Sequence, residues 1–493
     1  MKDVTRPSVT AHGPFTTMQE VEIQAMQIDR FTDLLPSDRI IRFADVAAEA
    51  RSLMEGRVIW NVSATAQGGG VAEMLQTLLA YVRAVYVDTR WLVLTGNPEF
   101  FTVTKRVHNM LHGEAGDGGQ LGDAERAVVA EALEADIEEM TTRVSIGDVV
   151  LLHDPQTAGM VDRLRAAGAL VVWRCHVGRD TPNELTDRAW DFLRPMIQHA
   201  DAFVFSRSAY VPPWCRPEAV HIITPSIDPL SAKNSSLSDA MGKAALIRSG
   251  LLEGAMDSDD NTSLQFFRRD GRVGEVRCHR GLMAEGGPVP VEARLVVQVS
   301  RWDRLKDMAG VQQGFIEAMT SLPDDVHLVL AGPEVAGVSD DPEGAAVLAE
   351  CRDGWRRLGP AERRRVHLVC LPMDDVDENA HLVNALQRRA TVVVQKSLVE
   401  GFGLTVTEAM WKGRPVVASA VGGIADQIAD MVDGMLLDDP TDVKGLGGAL
   451  KTLFDSPALC AALGAAGRQT VHDRFLGDRH LEAYVDLLRR LLG

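Results

Sequence analysis

Glu400 and Glu408 stand on either side of a glycine-punctuated turn in QKSLVEGFGLTVTEAMWKGRPVVASAVGG, residues 395–423. The stretch reads as a strand over 391–395, a loop, a helix over about 405–412 and a second strand over 415–419. Gly401 and Gly403 let the backbone come close to a ligand. The helix start offers unpaired N–H groups and a positive dipole end. A carboxylate in the loop and another inside the first helical turns can address two parts of one bound molecule. The reading is a nucleotide sugar, with Glu400 facing the sugar and Glu408 the ribose hydroxyls. Taken alone, both would be ordinary helix-terminus carboxylates. A catalytic acid and base of the glycoside-hydrolase kind is the competing chemistry, but it does not call for cations at a neighbouring strand end.

Those cations are Arg301 and Lys306, in SRWDRLKD just past a strand over 295–300. Two positive groups there can grip a diphosphate from two directions, each charge-assisted hydrogen bond being worth about 1.5–3 kcal/mol. An isolated pair with this spacing is usually a solvated surface feature; it gains meaning beside the Glu400–Glu408 element. Asp303 and Asp307 fit a role in orienting or screening the cations better than metal binding. Trp302 and Trp173 are core residues or sugar platforms, and the sequence leaves both open.

A third group falls at strand ends in the first half. Gly68, Gly69 and Gly70 lie between a strand over 57–64 and a helix over 71–85. That is a phosphate-cradling geometry, or else a tight turn where only glycine fits. It is neither a Walker loop nor the dinucleotide fingerprint. DVVLLHDPQ ends in His153 and Asp154, and ALVVWRCHVG ends in Arg174 and His176. A lone strand histidine is commonly a satisfied core residue, whereas two at strand ends flanked by Asp154 and Arg174 fit hydroxyl recognition. These strand-end residues form no His-x3-His and no carboxylate triad that suggests a metal.

Strands alternating with helices must position these groups. The pattern runs from 57 to 207 and again from 293 to 419, implying parallel sheets covered on both faces. Ligands bind beyond the carboxyl ends of such strands, so the residues above line one cleft. HIITPSIDPLSAKN (221–234) is the crossing point between the halves. Between about 237 and 290 the chain is polar and turn-rich, read as a helix or two and an irregular excursion. An amphipathic helix over 479–492 closes the chain.

The totals agree. At 493 residues the chain holds more than one core. A formal net charge of -18 argues against a nucleic-acid scaffold, which needs a basic stripe. Six scattered cysteines without a C-x-x-C pair imply reduced thiols in a cytoplasmic protein rather than a disulfide frame or zinc site. No signal-peptide core is seen at the start, and no apolar run approaches the ~20 residues of a membrane span.

E-x7-E with GFGLTVTEAM, the SRWDRLKD turn and VGGIADQI resemble the retaining GT-B glycosyltransferases of the glycogen-synthase and sucrose-synthase kind. GGGVAEML, FFTVTKRVHNMLHG, HDPQ, WRCH, FLRP, PSIDPLSAKN and PMDDVDENAHLVNALQ narrow the resemblance to trehalose glycosyltransferring synthase, which is similar to retaining trehalose phosphorylase. It covers about 30–493; the departures are a long excursion at roughly 250–290 and an unusual start.

The resemblance implies an α/β fold of two doubly wound Rossmann-like domains facing a central cleft. It divides the chain into an extension with short helices (1–55), an acceptor domain (56–225), a nucleotide-sugar domain (226–475) and a helix crossing back to the first domain (476–493). It implies reversible transfer of glucose from ADP- or UDP-glucose to glucose, forming α,α-trehalose with retention. Arg301, Lys306 and Glu400 become catalytic; Arg301 and Lys306 hold the diphosphate. Gly69 and Gly70 reach the same phosphates, His153 and Glu400 the donor glucose, Glu408 the ribose. Gly401, Phe402, Gly403 and Leu404 complete the donor site, while Asp154, Arg174 and His176 lie where the acceptor binds. Backbone groups near 371–373 would take the base. No metal or other cofactor is required, magnesium included, and a homodimer is expected. The rival readings are a phosphorylase using inorganic phosphate and a catalytically silent sugar- or nucleotide-binding protein.

Overall fold

Unbroken aliphatic runs such as VVLLH, LVVWRC and VHLVLAG mark strands buried on both faces, as in a parallel sheet with helices on either side. The structure, a computed structural model, describes residues 18–493 apart from 27, 32, 67–68, 255–263, 269–270 and 336–342. In the first half the strands are β1 (Gln19–Glu20), β2 (Ile59–Ser63), β3 (Thr89–Val93), β4 (Val149–His153), β5 (Leu170–Cys175), β6 (Ala202–Phe205) and β7 (Val220–Ile222). They form a seven-stranded sheet in the order β1-β3-β2-β4-β5-β6-β7, parallel except for β1.

Next come β8 (Gln265–Phe267), β9 (Val273–Glu275), β10 (Met283–Glu285), β11 (Arg294–Val299), β12 (Val326–Pro333), β13 (Val366–Leu371), β14 (Val392–Gln395), β15 (Val416–Ser419) and β16 (Met435–Leu437). The second sheet, again seven-stranded, runs β10-β13-β12-β11-β14-β15-β16, with β10 antiparallel at the edge. Each half is doubly wound, as expected.

The 237–290 stretch is more ordered than its composition suggests. It contains the helix Asp239–Ser249, the hairpin β8–β9 and the edge strand β10. Charge holds it down. Arg268 makes a two-pronged pair with Asp375 at 2.8 and 2.6 Å, and Arg277 and His279 converge on the buried carboxylate of Glu378.

The final helix, Gly477–Leu492, packs on the helices Ser37–Leu53 and Gly69–Ala84 of the first lobe. Leu481, Val485 and Leu488 join one apolar core that continues through Val149 and Leu151 of the first sheet into Val297 and Val393 of the second. Arg39 and Asp478, each 6% exposed, pair at 2.6 Å beside it.

Candidate active site

The turn after β11 is built by its own aspartates. Asp303 accepts a hydrogen bond from Leu305 N at 2.7 Å, and Asp307, at φ 48°, caps the helix Met308–Ala318 by accepting from Gly310 N at 3.1 Å. Buried Lys396 pairs with Asp307, and the Gln298 side chain donates to Lys306 O at 2.7 Å and accepts from Lys396 N at 3.1 Å. Leu398 N donates to Leu305 O at 2.8 Å. The turns after β11 and β14 are thereby one unit. It sets Lys306 Nζ 2.8 Å from Glu400 Oε2, which also accepts from Ser397 Oγ at 3.0 Å. Arg301 leans on Asp303 at 3.3 Å and keeps 39% of its side chain exposed.

Glu408 is buried in the helix Leu404–Trp411. Lys233 Nζ lies 3.2 Å from Glu408 Oε1 and 2.7 Å from Glu73 Oε1, tying this helix to the glycine-turn helix of the first lobe. Lys412 donates to Gln387 Oε1 at 2.7 Å, Asn234 Oδ1 at 3.0 Å and Glu408 O at 3.2 Å. Burial pushes the Glu408 carboxyl up and takes Lys412 down to about 7. Burial also opposes the charge on Lys233, but Glu408 and Glu73 outweigh it and raise its pKa. Glu408 Oε2 is buried without a hydrogen-bond partner, a spare acceptor in an otherwise satisfied cluster.

The lobes meet where helix starts converge. A Cβ on Gly70 would lie 3.6 Å from Leu404 Cδ1, so the N-termini of Gly69–Ala84 and Leu404–Trp411 are adjacent. Two positive helix ends meeting there, next to the Glu400 that Lys306 contacts, favour an anion despite the acidic chain. Gly401 faces the first lobe directly, since a Cβ on it would sit 3.1 Å from His176 O. Gly68 lies outside the described residues.

Register places His153 of β4 opposite Arg174 of β5. His153 Nε2 is 3.2 Å from Asn61 Oδ1, and His153 Nδ1 is 3.1 Å from His176 Nε2. Asn61 Nδ2 donates to Thr89 Oγ1 at 3.3 Å, and Thr89 donates to Ile59 O at 3.1 Å. An amide oxygen only accepts, so His153 carries its proton on Nε2 and receives one from His176 Nε2. This relay leaves His176 Nδ1 as a bare acceptor. Burial first and Arg174 second lower both rings, His153 to about 3, so both are neutral. Asp154, at φ 65°, accepts from His176 N at 2.8 Å. Burial raises its carboxyl to about 7 against the opposing His176 N–H and Arg174.

Two expected ligands are placed elsewhere. Arg174 is fully buried; its guanidinium bonds Tyr484 of the final helix and donates to Ile223 O at 3.3 Å. Its side chain acts on the site through its field on His153, His176 and Asp154, and its carbonyl accepts from Asp154 N at 2.8 Å. Phe402 turns its ring into the core, 5.8 Å from Phe475, leaving only backbone for a donor. Trp173 and Trp302 are buried in the core.

Lys233, Lys412 and two histidines of the helix Pro98–Leu111 and its cap carry no local motif that marks them as part of this region. The rings of His108 and His112 meet edge to face, 5.1 Å apart at 75°. Burial, with Lys306 next, lowers His112 to about 4 against the pull of Glu400, while burial first, then His112 and Lys105, with smaller effects of Arg301 and Lys306, hold His108 well below its usual value. Both therefore lie within electrostatic range of the cation turn. Two histidines four apart at a helix C-terminus, in HNMLH, are the one signal the sequence offers for them.

Residues 61–212 match the family described as the trehalose synthase N-terminal domain, and residues 377–470 match glycosyl transferases group 1. The chain is 31% identical to a trehalose synthase of Pyrococcus horikoshii over 90% of this chain and 92% of that one. It is 27% identical to a trehalose phosphorylase of Pleurotus pulmonarius over 83% of this chain but 54% of the relative. The structure of a UDP-forming α,α-trehalose-phosphate synthase from Burkholderia vietnamiensis superposes with a TM-score of 0.61 at 15% identity, covering 88% of this chain and 98% of that one. The two Rossmann-like sheets thus have the GT-B arrangement. With this extent of identity across nearly its whole length, the chain belongs to the trehalose synthase family of glycosyltransferases.

Proposed function

We propose that the chain moves glucose from a nucleoside diphosphate glucose to glucose, forming α,α-trehalose reversibly and with retention. The observation that carries this reading is the ammonium of Lys306 held 2.8 Å from the Glu400 carboxylate, where two helix N-termini meet across the cleft. Arg301, Lys306 and the amides of Gly69 and Gly70 take the diphosphate. Glu400 and His153 address the donor glucose. The spare oxygen of Glu408 receives a ribose hydroxyl. His176 Nδ1 and the second oxygen of Asp154 accept from acceptor hydroxyls.

As the bond between C1 and the phosphate oxygen breaks, positive charge builds on C1 and negative charge on the departing oxygen. Fixed cations stabilise that oxygen without reorganising. The acceptor hydroxyl forms its bond to C1 on the same face and passes its proton to the leaving phosphate. Arg301 and Lys306 supply the charge a divalent ion would bring, so turnover should persist in EDTA.

The test runs the reaction backwards. Trehalose is incubated separately with ADP, UDP and inorganic phosphate, and the products are read by NMR. Formation of glucose with an α-linked nucleoside diphosphate glucose supports the reading. Cleavage with phosphate alone would replace it with a phosphorylase, and a β-linked product would remove retention.

A further inference from the structure

Beyond β6 the first lobe reaches over the cleft and holds the Glu400 loop by its backbone. Tyr210 Oη lies 3.0 Å from Glu400 O and 2.8 Å from Gly401 O, so its single proton is shared between consecutive carbonyls. The peptide of Gly422 is gripped at both ends: its N–H donates to Asp180 Oδ2 at 2.8 Å, and its carbonyl accepts from Arg207. Arg207 also pairs with Asp180 in its own lobe and with Asp426 across the cleft at 2.9 Å.

Two glycines leave room for this contact. A Cβ on Gly422, which has φ 54°, would fall 1.7 Å from Glu400 O and 2.8 Å from Tyr210 Oη. A Cβ on Gly178 would fall 2.1 Å from the Tyr210 ring. Burial, with Asp180 next, raises the phenol's pKa, so it stays a donor at neutral pH.

We propose that Tyr210 is a positioning residue: it clasps the Glu400–Gly401 backbone when the lobes close, and so keeps water from the donor while the acceptor is in place. The inference rests on the glycosyl-transfer reading of the cleft. With the clasp loosened, water can replace the acceptor hydroxyl at C1. The bond from C1 to the phosphate oxygen still breaks, and glucose and the nucleoside diphosphate leave separately.

The experiment compares wild type with Tyr210→Phe, which removes one hydroxyl. Gly178→Ala serves as a second variant that keeps the phenol but displaces its ring. Hydrogen exchange of the 398–404 amides is followed with and without UDP or ADP. Donor labelled in its glucose is then turned over with unlabelled glucose, and label is counted in trehalose and in free glucose. Both variants should exchange 398–404 faster and raise the ratio of labelled glucose to labelled trehalose by roughly fivefold. An unchanged partition, or unchanged exchange in both nucleotide states, overturns the clasp. A wild type that transfers no glucose, yet loses protection at 398–404 when Tyr210 is changed, removes the transfer reading and leaves the clasp standing.

Discussion

Two of the contacts between the lobes are of opposite character. At the cleft, Tyr210, Arg207 and Asp180 meet Glu400, Gly401, Gly422 and Asp426 through hydrogen bonds and ion pairs. Beneath the final helix, Leu481, Val485 and Leu488 sit in an apolar core shared by both sheets. Water can replace a hydrogen bond at small net cost, about 0.5–1.5 kcal/mol each. It cannot replace apolar burial, which is worth about 25 cal/mol per Å². The first contact is therefore suited to opening and closing around substrate, and the second to staying shut as the fulcrum.

The sharpest way to break this division is Lys306→Ala. If the cleft contacts serve chemistry, losing a cation beside the departing oxygen should cut kcat by about 10²–10³-fold. Stability should move by less than about 1 kcal/mol, since a partly solvated pair contributes little. Steady-state kinetics and urea unfolding on one preparation check both. Loss of stability without loss of rate would reverse the assignment.

Leu481→Ala probes the other contact. Leu481 is 3% exposed, and its truncation should cost about 2–5 kcal/mol in urea unfolding. Well below the unfolding transition, kcat should stay within about twofold of wild type. A large kcat loss with unchanged stability would show that the fulcrum moves during turnover.

The same contrast explains what could be read from the chain. The Lys306–Glu400 half of the site announced itself because chemistry and turn signals coincide in two short segments, SRWDRLKD and EGFGLTVTE. Partnerships across the chain left no such mark. Tyr210 is 191 residues from Gly401, and Arg174 is 310 from Tyr484. Arg174 looked like a ligand because it stands next to a strand end. β5 runs to Cys175, so position 174 still points into the packed interior and only His176 leaves the sheet. The helix Glu184–Ile197 begins where Asn183 accepts from Leu185 N and Thr186 N, a cap easily missed among loop residues. The 237–290 stretch looked irregular since Arg268 and Arg277 find their carboxylates about a hundred residues on, at Asp375 and Asp374.

The smallest expected effect is the most diagnostic of the first lobe's share in substrate binding. The Asp154 carboxyl is raised to about 7 by burial, so the folded protein disfavours its ionised form. Its contribution to stability is therefore fully present below the ordinary aspartate pKa of about 3.9 and is lost as pH rises through about 7. Acceptor binding should run the other way. Above 7 the carboxylate accepts a charge-assisted hydrogen bond from a sugar hydroxyl, stronger than the bond made by the neutral acid. The KM for glucose should fall by about fivefold between pH 6 and pH 8, and Asp154→Asn separates this slope from any change in donor KM that Lys412, taken down to about 7 beside Glu408, brings over the same range. Asp154→Asn should abolish the pH slope and leave the acceptor KM near its low-pH value. A slope that survives this substitution would place the titrating group elsewhere and strip Asp154 of its role at the acceptor.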